Sequence, residues 1–455
     1  MRRRLLPIGL AAVSVAAGAF AAVDPTPAVP AASSEEFAPP LVPVLSPRRV
    51  PGAFSAAIAD ARLRADLDAA LAGTPRSCLV VSRHGTRVHQ VRADDRLVPA
   101  SNLKILTGLA VLEKLGAHSR LTTDVRTAAP LRDGVLHGDL WLVGGGDPLL
   151  GTAEYAASLR NQPQLYTPLE QLADRIKAAG VTAVVGAVRG DESRYDTQRY
   201  IPTWRPTYIV DAEVGPASAL TVNDGYAQWR PRHVAATAPA THAAGMLATL
   251  LQQRGVAVAG GAGEGRQPDG TRSLATLDSA PMREVVGQML RESDNLTAEL
   301  LVKELGVRFA REGSTAAGLR VLRETVAAEG LPADHVVTVD GSGLDRGDRA
   351  SCTAILAALE KTGPESPIGT GMPVAARDGT LAQRFTGHPA AGRLRAKTGS
   401  LAGVTGLSGW LDSLAFAFLA NDVPREAVGR TLQENVAAVL ARYPDAPPPE
   451  ELAPR

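Results

Sequence analysis

Three consecutive runs near the C-terminus, GRLRAKTGSL, GVTGLSGWLD and SLAFAFLAND, abandon the helical period of the preceding segments and read as strands separated by Gly, Ala or Asp-Ser. Such a series is a β-meander. Its partners lie at the far end of the chain, where SCLVVSRHG and TRVHQVRAD flank a tight turn at His84-Gly85. Apolar residues at helical spacing mark Phe54 to Ala72, the segment PASNLKILTGLAVLEKLGA, several stretches from Pro281 to Gly363, and about Pro424 to Tyr443. Helix, hairpin, helices, meander and helix describe an α+β unit whose antiparallel sheet, flanked by helices, is assembled from both ends of the chain.

The chain has 455 residues, too many for one ordinary core. We expect the sheet-bearing unit to comprise residues 52–120 and 285–444, and residues 121–284 to form an insertion, mainly β, because the runs there are short and strand-like between Pro/Gly-rich loops. Gly144-Gly145-Gly146-Asp147-Pro148 within it reads as a turn, since no complete phosphate-binding pattern follows.

The N-terminus places three arginines before an apolar run from Leu5 to Val23 that ends near Ala19-Phe20-Ala21. This is the pattern of a secretory signal peptide over residues 1–22, followed by a Pro/Ala-rich linker over 23–51. The competing reading is an uncleaved anchor. Export to the cell envelope follows, with weak association to membrane or cell wall left open, and residues 445–455 form a Pro-rich tail expected to be disordered. An exported chain permits a disulfide between its two cysteines, Cys78 and Cys352; two separate buried thiols are the alternative. Lys+Arg 48 against Asp+Glu 47 removes the electrostatic case for nucleic acid as partner. No histidine or cysteine pattern at metal-ligand spacing occurs, so neither metal nor cofactor is expected.

Function must therefore be read from local constellations. Ser101 and Lys104 are three apart at the start of a predicted helix, which puts both on one face, the hydroxyl within reach of the amine. A lysine desolvated in a cleft and close to other cations loses basicity and can take a proton from serine. The alternative is an N-cap serine with a solvated lysine. Ser293-Asp294-Asn295 interrupts two helices and could project a hydroxyl and an amide into a cleft, or simply cap the second helix.

Lys-Thr-Gly occurs twice. Lys361 ends the helix TAILAALEKTGP, where a basic residue suits the dipole and Gly363-Pro364 stops the helix. Lys397, by contrast, alternates along a strand. With Thr398 and Ser400 it makes an edge to which an extended peptide could add, its carboxylate held by cation and hydroxyls.

Ser-x-x-Lys, Ser-Asp-Asn and Lys-Thr-Gly in this order form the signature of penicillin-recognising serine acyltransferases. The long span from Ser101 to Ser293, together with LVGGGDPLL, VDGSGLDR and MPVAARDGTLAQRF, resembles the low-molecular-mass class C penicillin-binding proteins, the D-Ala-D-Ala carboxypeptidase/endopeptidase group of peptidase family S13. The resemblance implies the transpeptidase fold shared with β-lactamases. Its substrates would be peptidoglycan stem peptides ending in D-Ala-D-Ala, with β-lactams as covalent inhibitors. It further implies Ser101 as nucleophile, Lys104 as general base, Ser293 as proton relay, Asn295 on the substrate amide, and Lys397, Thr398 and Ser400 on the terminal carboxylate. The oxyanion hole would be the N–H groups of Ser101 and Ser400. Rival readings are a β-lactamase or esterase on the same fold, or a catalytically weak envelope scaffold. Two departures stand out: the insertion is shorter than in full-size members, and Ser400 replaces a more usual threonine. Ser342, between two glycines, lacks the spacing and base of a nucleophile elbow and reads as a turn.

The two lysines give the first test. Lys397→Ala should abolish labelling by a fluorescent penicillin, whereas Lys361→Ala should label normally and lose only a little stability; equal loss in both would refute the distinction.

Overall fold

The computed structural model describes residues 51–446, so the expected signal peptide, nearly all of the linker and the tail beyond 446 lie outside the described residues. Helix α1 (Pro51–Leu71) places Ala59, Leu63, Leu67 and Leu71 four apart, one buried stripe along its length. Strands β1 (Ser77–Arg83) and β2 (Thr86–Val91) follow, joined by His84 and Gly85, both with positive φ (49° and 78°), as a two-residue hairpin of this hand requires. Helix α2 (Leu103–Leu115) is buried on every side from Leu103 to Val111 and so must run through the middle of the unit.

The insertion begins with β3 (Thr122–Thr127), followed by β4 (Leu140–Val143), α3 (Leu169–Ala178), β5 (Val188–Asp191), α4 (Pro239–Gln253), β6 (Ala262–Glu264) and β7 (Arg272–Asp278). These strands form a sheet in the order β6-β5-β4-β3-β7. Its β6, β5 and β4 are parallel, whereas β3 pairs antiparallel with both neighbours. The short strand-like runs are therefore real. The helices between them let strands run parallel, since a parallel crossover needs a connection of this length, and α3 and α4 share one apolar core with the sheet. Gly144 and Gly145 do more than turn: a side-chain carbon at either would lie within 2.3 Å of Ala219 O or 2.0 Å of Thr122 O, so they let backbones touch where the sheet meets the rest of the molecule.

The chain then returns through α5 (Met282–Glu292), α6 (Asn295–Leu305), α7 (Thr315–Ala328) and α8 (Cys352–Thr362) to β8 (Leu394–Leu401), β9 (Val404–Leu411), β10 (Leu414–Asn421) and α9 (Glu426–Arg442). The main sheet, among the described residues, has the order β8-β9-β10-β1-β2, antiparallel throughout. The meander and the N-terminal hairpin thus join at β10 and β1. Both faces of β10 are covered: Phe416, Phe418 and Ala420 pack with α1 and α9, while Ala415, Ala417 and Leu419 face the core of α2 and α8. This explains why the strand is continuously apolar instead of alternating.

Cys78 on β1 and Cys352 at the start of α8 are joined in a disulfide, with Cα atoms 5.9 Å apart and 274 residues of sequence between them. It resolves the two open readings and ties the opposite ends of the chain on the α2 side of the sheet. Replacing both cysteines by alanine should lower equilibrium stability by about 2–5 kcal/mol in chemical denaturation; an unchanged midpoint would mean that packing alone holds β1 against α8.

Candidate active site

Ser101 sits in a 3-10 turn, Ala100–Asn102, that leads directly into α2. Ala100 is buried with φ 47°, a left-handed conformation rare for a non-glycine residue. Two glycines make room for this turn. Gly343 has φ 85°, and a Cβ there would lie 2.0 Å from Ala100 O; one on Gly399 of β8 would lie 2.4 Å from Asn102 Nδ2. The turn bearing Ser101 is thus gripped between the 341–343 loop and the edge strand.

Lys104, one turn on, is wholly buried. Its Nζ donates to Ser101 Oγ (3.0 Å), Asn295 Oδ1 (2.6 Å) and the Ser342 carbonyl (2.7 Å), which uses all three ammonium protons. Burial disfavours its charge and pulls its pKa down to about 8, against the opposing pull of the Asp340, Glu299, Asp294 and Asp348 carboxyls. Burial lowers its basicity, as the sequence reading expects; the surrounding carboxyls oppose the shift, and the second amine of the site, Lys397, is close enough for the two to interact.

The break between α5 and α6 presents the second motif. Ser293 ends α5 in a left-handed conformation (φ 62°), and Asp294 caps α6 by accepting from Thr297 N (3.2 Å). Capping falls to Asp294, leaving Ser293 and Asn295 free to point elsewhere. Asn295 also donates through Nδ2 to the Glu213 carbonyl of the insertion (2.8 Å), which fixes its amide orientation. Ser293 Oγ accepts from Lys397 Nζ (2.8 Å), and Lys397 donates as well to the Thr398 carbonyl (2.9 Å). Lys397 is wholly buried, and burial, with Lys104 adding to it, holds its pKa well below the ordinary lysine range.

Ser101, Ser293, Asn295, Thr398 and Ser400 therefore line one cavity of about 1020 Å³, with Lys104 and Lys397 buried behind it, each on a cavity hydroxyl. Thr398 Oγ1 lies 3.3 Å from Thr380 Oγ1, and Ser400 is exposed at the mouth. The insertion supplies the opposite wall, including Leu149, Tyr155, Glu213 and Asp224. The other Lys-Thr-Gly is where helix capping puts it: Lys361 is in the last turn of α8, 2.9 Å from Glu329, and Gly363 N donates to Leu359 O. Sequence reading missed the Ser342 carbonyl and Thr380. The Gly-Ser-Gly run signalled the turn correctly, but the contact is made by backbone, which no side-chain motif announces.

A serine hydroxyl hydrogen-bonded to a buried lysine amine is the arrangement of a lysine-paired serine hydrolase. The chain belongs to the D-Ala-D-Ala carboxypeptidase 3 (S13) family, which matches residues 63–233 and 227–443. It is 31% identical to carboxypeptidase DacB of Mycolicibacterium smegmatis, covering 89% of this chain and 90% of that one. It is 29% identical to the D-alanyl-D-alanine carboxypeptidase of Actinomadura sp. strain R39, covering 87% and 88%. That alignment spans 492 positions against a chain of 455, so the relative contains residues absent here. Among solved structures, penicillin binding protein 4 of Haemophilus influenzae superposes with a TM-score of 0.70 at 18% identity, over 83% of this chain and 99% of that one. A peptidoglycan endopeptidase of Bdellovibrio bacteriovorus gives 0.53 at 17%, over 82% and 94%. These two likenesses establish the fold.

Because a side chain at Gly343 collides with the turn bearing Ser101, Gly343→Ala should cost about 1–3 kcal/mol in thermal unfolding and slow covalent labelling; a variant labelled at the wild-type rate would show that the turn does not depend on this contact.

Proposed function

We propose that this exported enzyme removes the terminal D-Ala from peptidoglycan stem peptides through an acyl-enzyme on Ser101, and that β-lactams acylate the same hydroxyl. The observation that supports this most directly is the 3.0 Å contact between Ser101 Oγ and a lysine that is buried without an ion pair.

Neutral Lys104 accepts the Ser101 proton as Oγ attacks the carbonyl of the penultimate D-Ala, and the negative charge developing on that oxygen meets the N–H groups of Ser101 and Ser400. Ser293 Oγ gives its proton to the leaving amine and takes one in turn from the Lys397 ammonium bonded to it, so the proton gained by Lys104 is matched by one lost from Lys397. Asn295 donates to the substrate amide, and Lys397, Thr398 and Ser400 attract its terminal carboxylate. An extended substrate would lie along β8, the edge strand of the sheet. Water then hydrolyses the ester by the reverse proton path. The relatives are named carboxypeptidases and one structural neighbour an endopeptidase, so cleavage of cross-linked stem peptides belongs to the same proposal.

The test is fluorescent penicillin labelling with mass mapping of the adduct. Label on Ser101, lost in Ser101→Ala, is expected; label elsewhere or none would overturn the reading. The pH dependence follows from Lys104: protonated below its pKa of about 8, it cannot accept a proton. The acylation rate should therefore climb about tenfold per pH unit on the acid side and level off above about pH 8, and a rate flat from pH 6 to 9 would exclude Lys104 as the base.

A further inference from the structure

Behind Lys104 lies a buried carboxyl that no step above uses. Glu299 stands one turn after Asn295 on α6 and is 2% exposed. Its Oε1 accepts from the backbone N–H of both Gly341 (3.0 Å) and Ser342 (2.9 Å), and its Oε2 is buried without a hydrogen-bond partner. The loop it grips also serves the lysine: the Ser342 carbonyl accepts from Lys104 Nζ, and the Gly341 carbonyl accepts from Thr107 Oγ1 (2.7 Å) on α2. We propose that Glu299 is a positioning residue for acylation, holding the Gly341–Ser342 backbone so that its carbonyl keeps Lys104 Nζ on Ser101 Oγ.

The fixed point is well chosen. Asn295 and Glu299 are on the same face of one helix, so the two oxygens that share Lys104 with Ser101, the Asn295 amide and the Ser342 carbonyl, are both referred to α6. The rest of the loop is held separately: Asp340 accepts from Gly343 N (2.6 Å), Asp345 N (2.7 Å) and Trp204 Nε1 (2.8 Å), and Asp348 from Val339 N (2.7 Å). Only Glu299 reaches the Gly341 and Ser342 amides among the described residues. Burial, reinforced by Asp340, raises the Glu299 pKa and favours the neutral acid, against the pull of its bonds to Gly341 and Ser342. A proton on the partnerless Oε2 leaves Oε1 to accept both N–H groups. The geometry therefore asks for the length and acceptor of the side chain, and not for its charge.

This inference rests on the Ser101 reading, whose failure would already be seen as absence of Ser101 label in the wild type. Given that label, Glu299→Gln keeps length and acceptor but removes the titratable carboxyl, whereas Glu299→Asp keeps the carboxyl but falls a methylene short. The expected order of acylation rates is wild type, then Gln within about fivefold, then Asp lower by about 100-fold through kcat with KM little changed, as for a displaced reacting group. Equal rates in both variants, or Asp faster than Gln, would overturn the proposal. If Asp does not fold, amide hydrogen exchange at Gly341 and Ser342 in the Gln variant decides: protection and acylation kept together or lost together support it, and one changing without the other refutes it.

Discussion

The site depends on the burial of one amine. Lys104 has no exposed surface, and an ammonium group in that position costs several kcal/mol unless its protons are bonded and its charge is offset. The structure meets the first condition fully and the second weakly. Three oxygens take the three protons, but none belongs to a carboxylate; the acidic groups act from farther away. A direct ion pair would have kept the lysine protonated. Neutral acceptors with remote carboxyls leave it bonded, placed and easily deprotonated, and one of those acceptors is the serine hydroxyl itself.

Lys397 applies the same physics with a different balance. It too is wholly buried, yet among the described residues its bonds go to Ser293 Oγ and to the carbonyl of Thr398, and the charge that acts on it is that of Lys104. Two buried amines near one cavity repel each other when both are charged, so the site favours states in which at most one is protonated. On the proposed function, a substrate carboxylate beside Thr398 and Ser400 would shift that balance toward a charged Lys397, so that binding and proton inventory would be linked.

Much of this was legible from the chain. The change of period at Leu394 placed the meander, and Lys361 and Lys397 were told apart because one lay in a 3.6-residue pattern before Gly-Pro and the other in a two-residue one. What could not be read was whatever the backbone does. The Ser342 carbonyl, the Glu299 clamp on two N–H groups and the left-handed Ala100 have no side-chain signature, and the parallel pairing of the insertion follows from crossover geometry that short apolar runs do not reveal. The disulfide lay between: two cysteines were evident, but only the adjacency of β1 and α8 brings them within bonding distance.

The insertion illustrates why the missed contacts matter. From sequence it is a separable block between two halves of a catalytic unit. In the structure its Glu213 carbonyl orients Asn295, Trp204 donates to Asp340 under the lysine loop, and Thr203 bonds to Asp345. Farther along α6, Arg194 pairs with the fully buried Glu304 (2.6 Å) and Asp196 with Lys303. The helix that presents Asn295 and Glu299 is thus bonded to the insertion at both ends. The residues between Arg194 and Glu213 are therefore part of the mould in which the lysine is set.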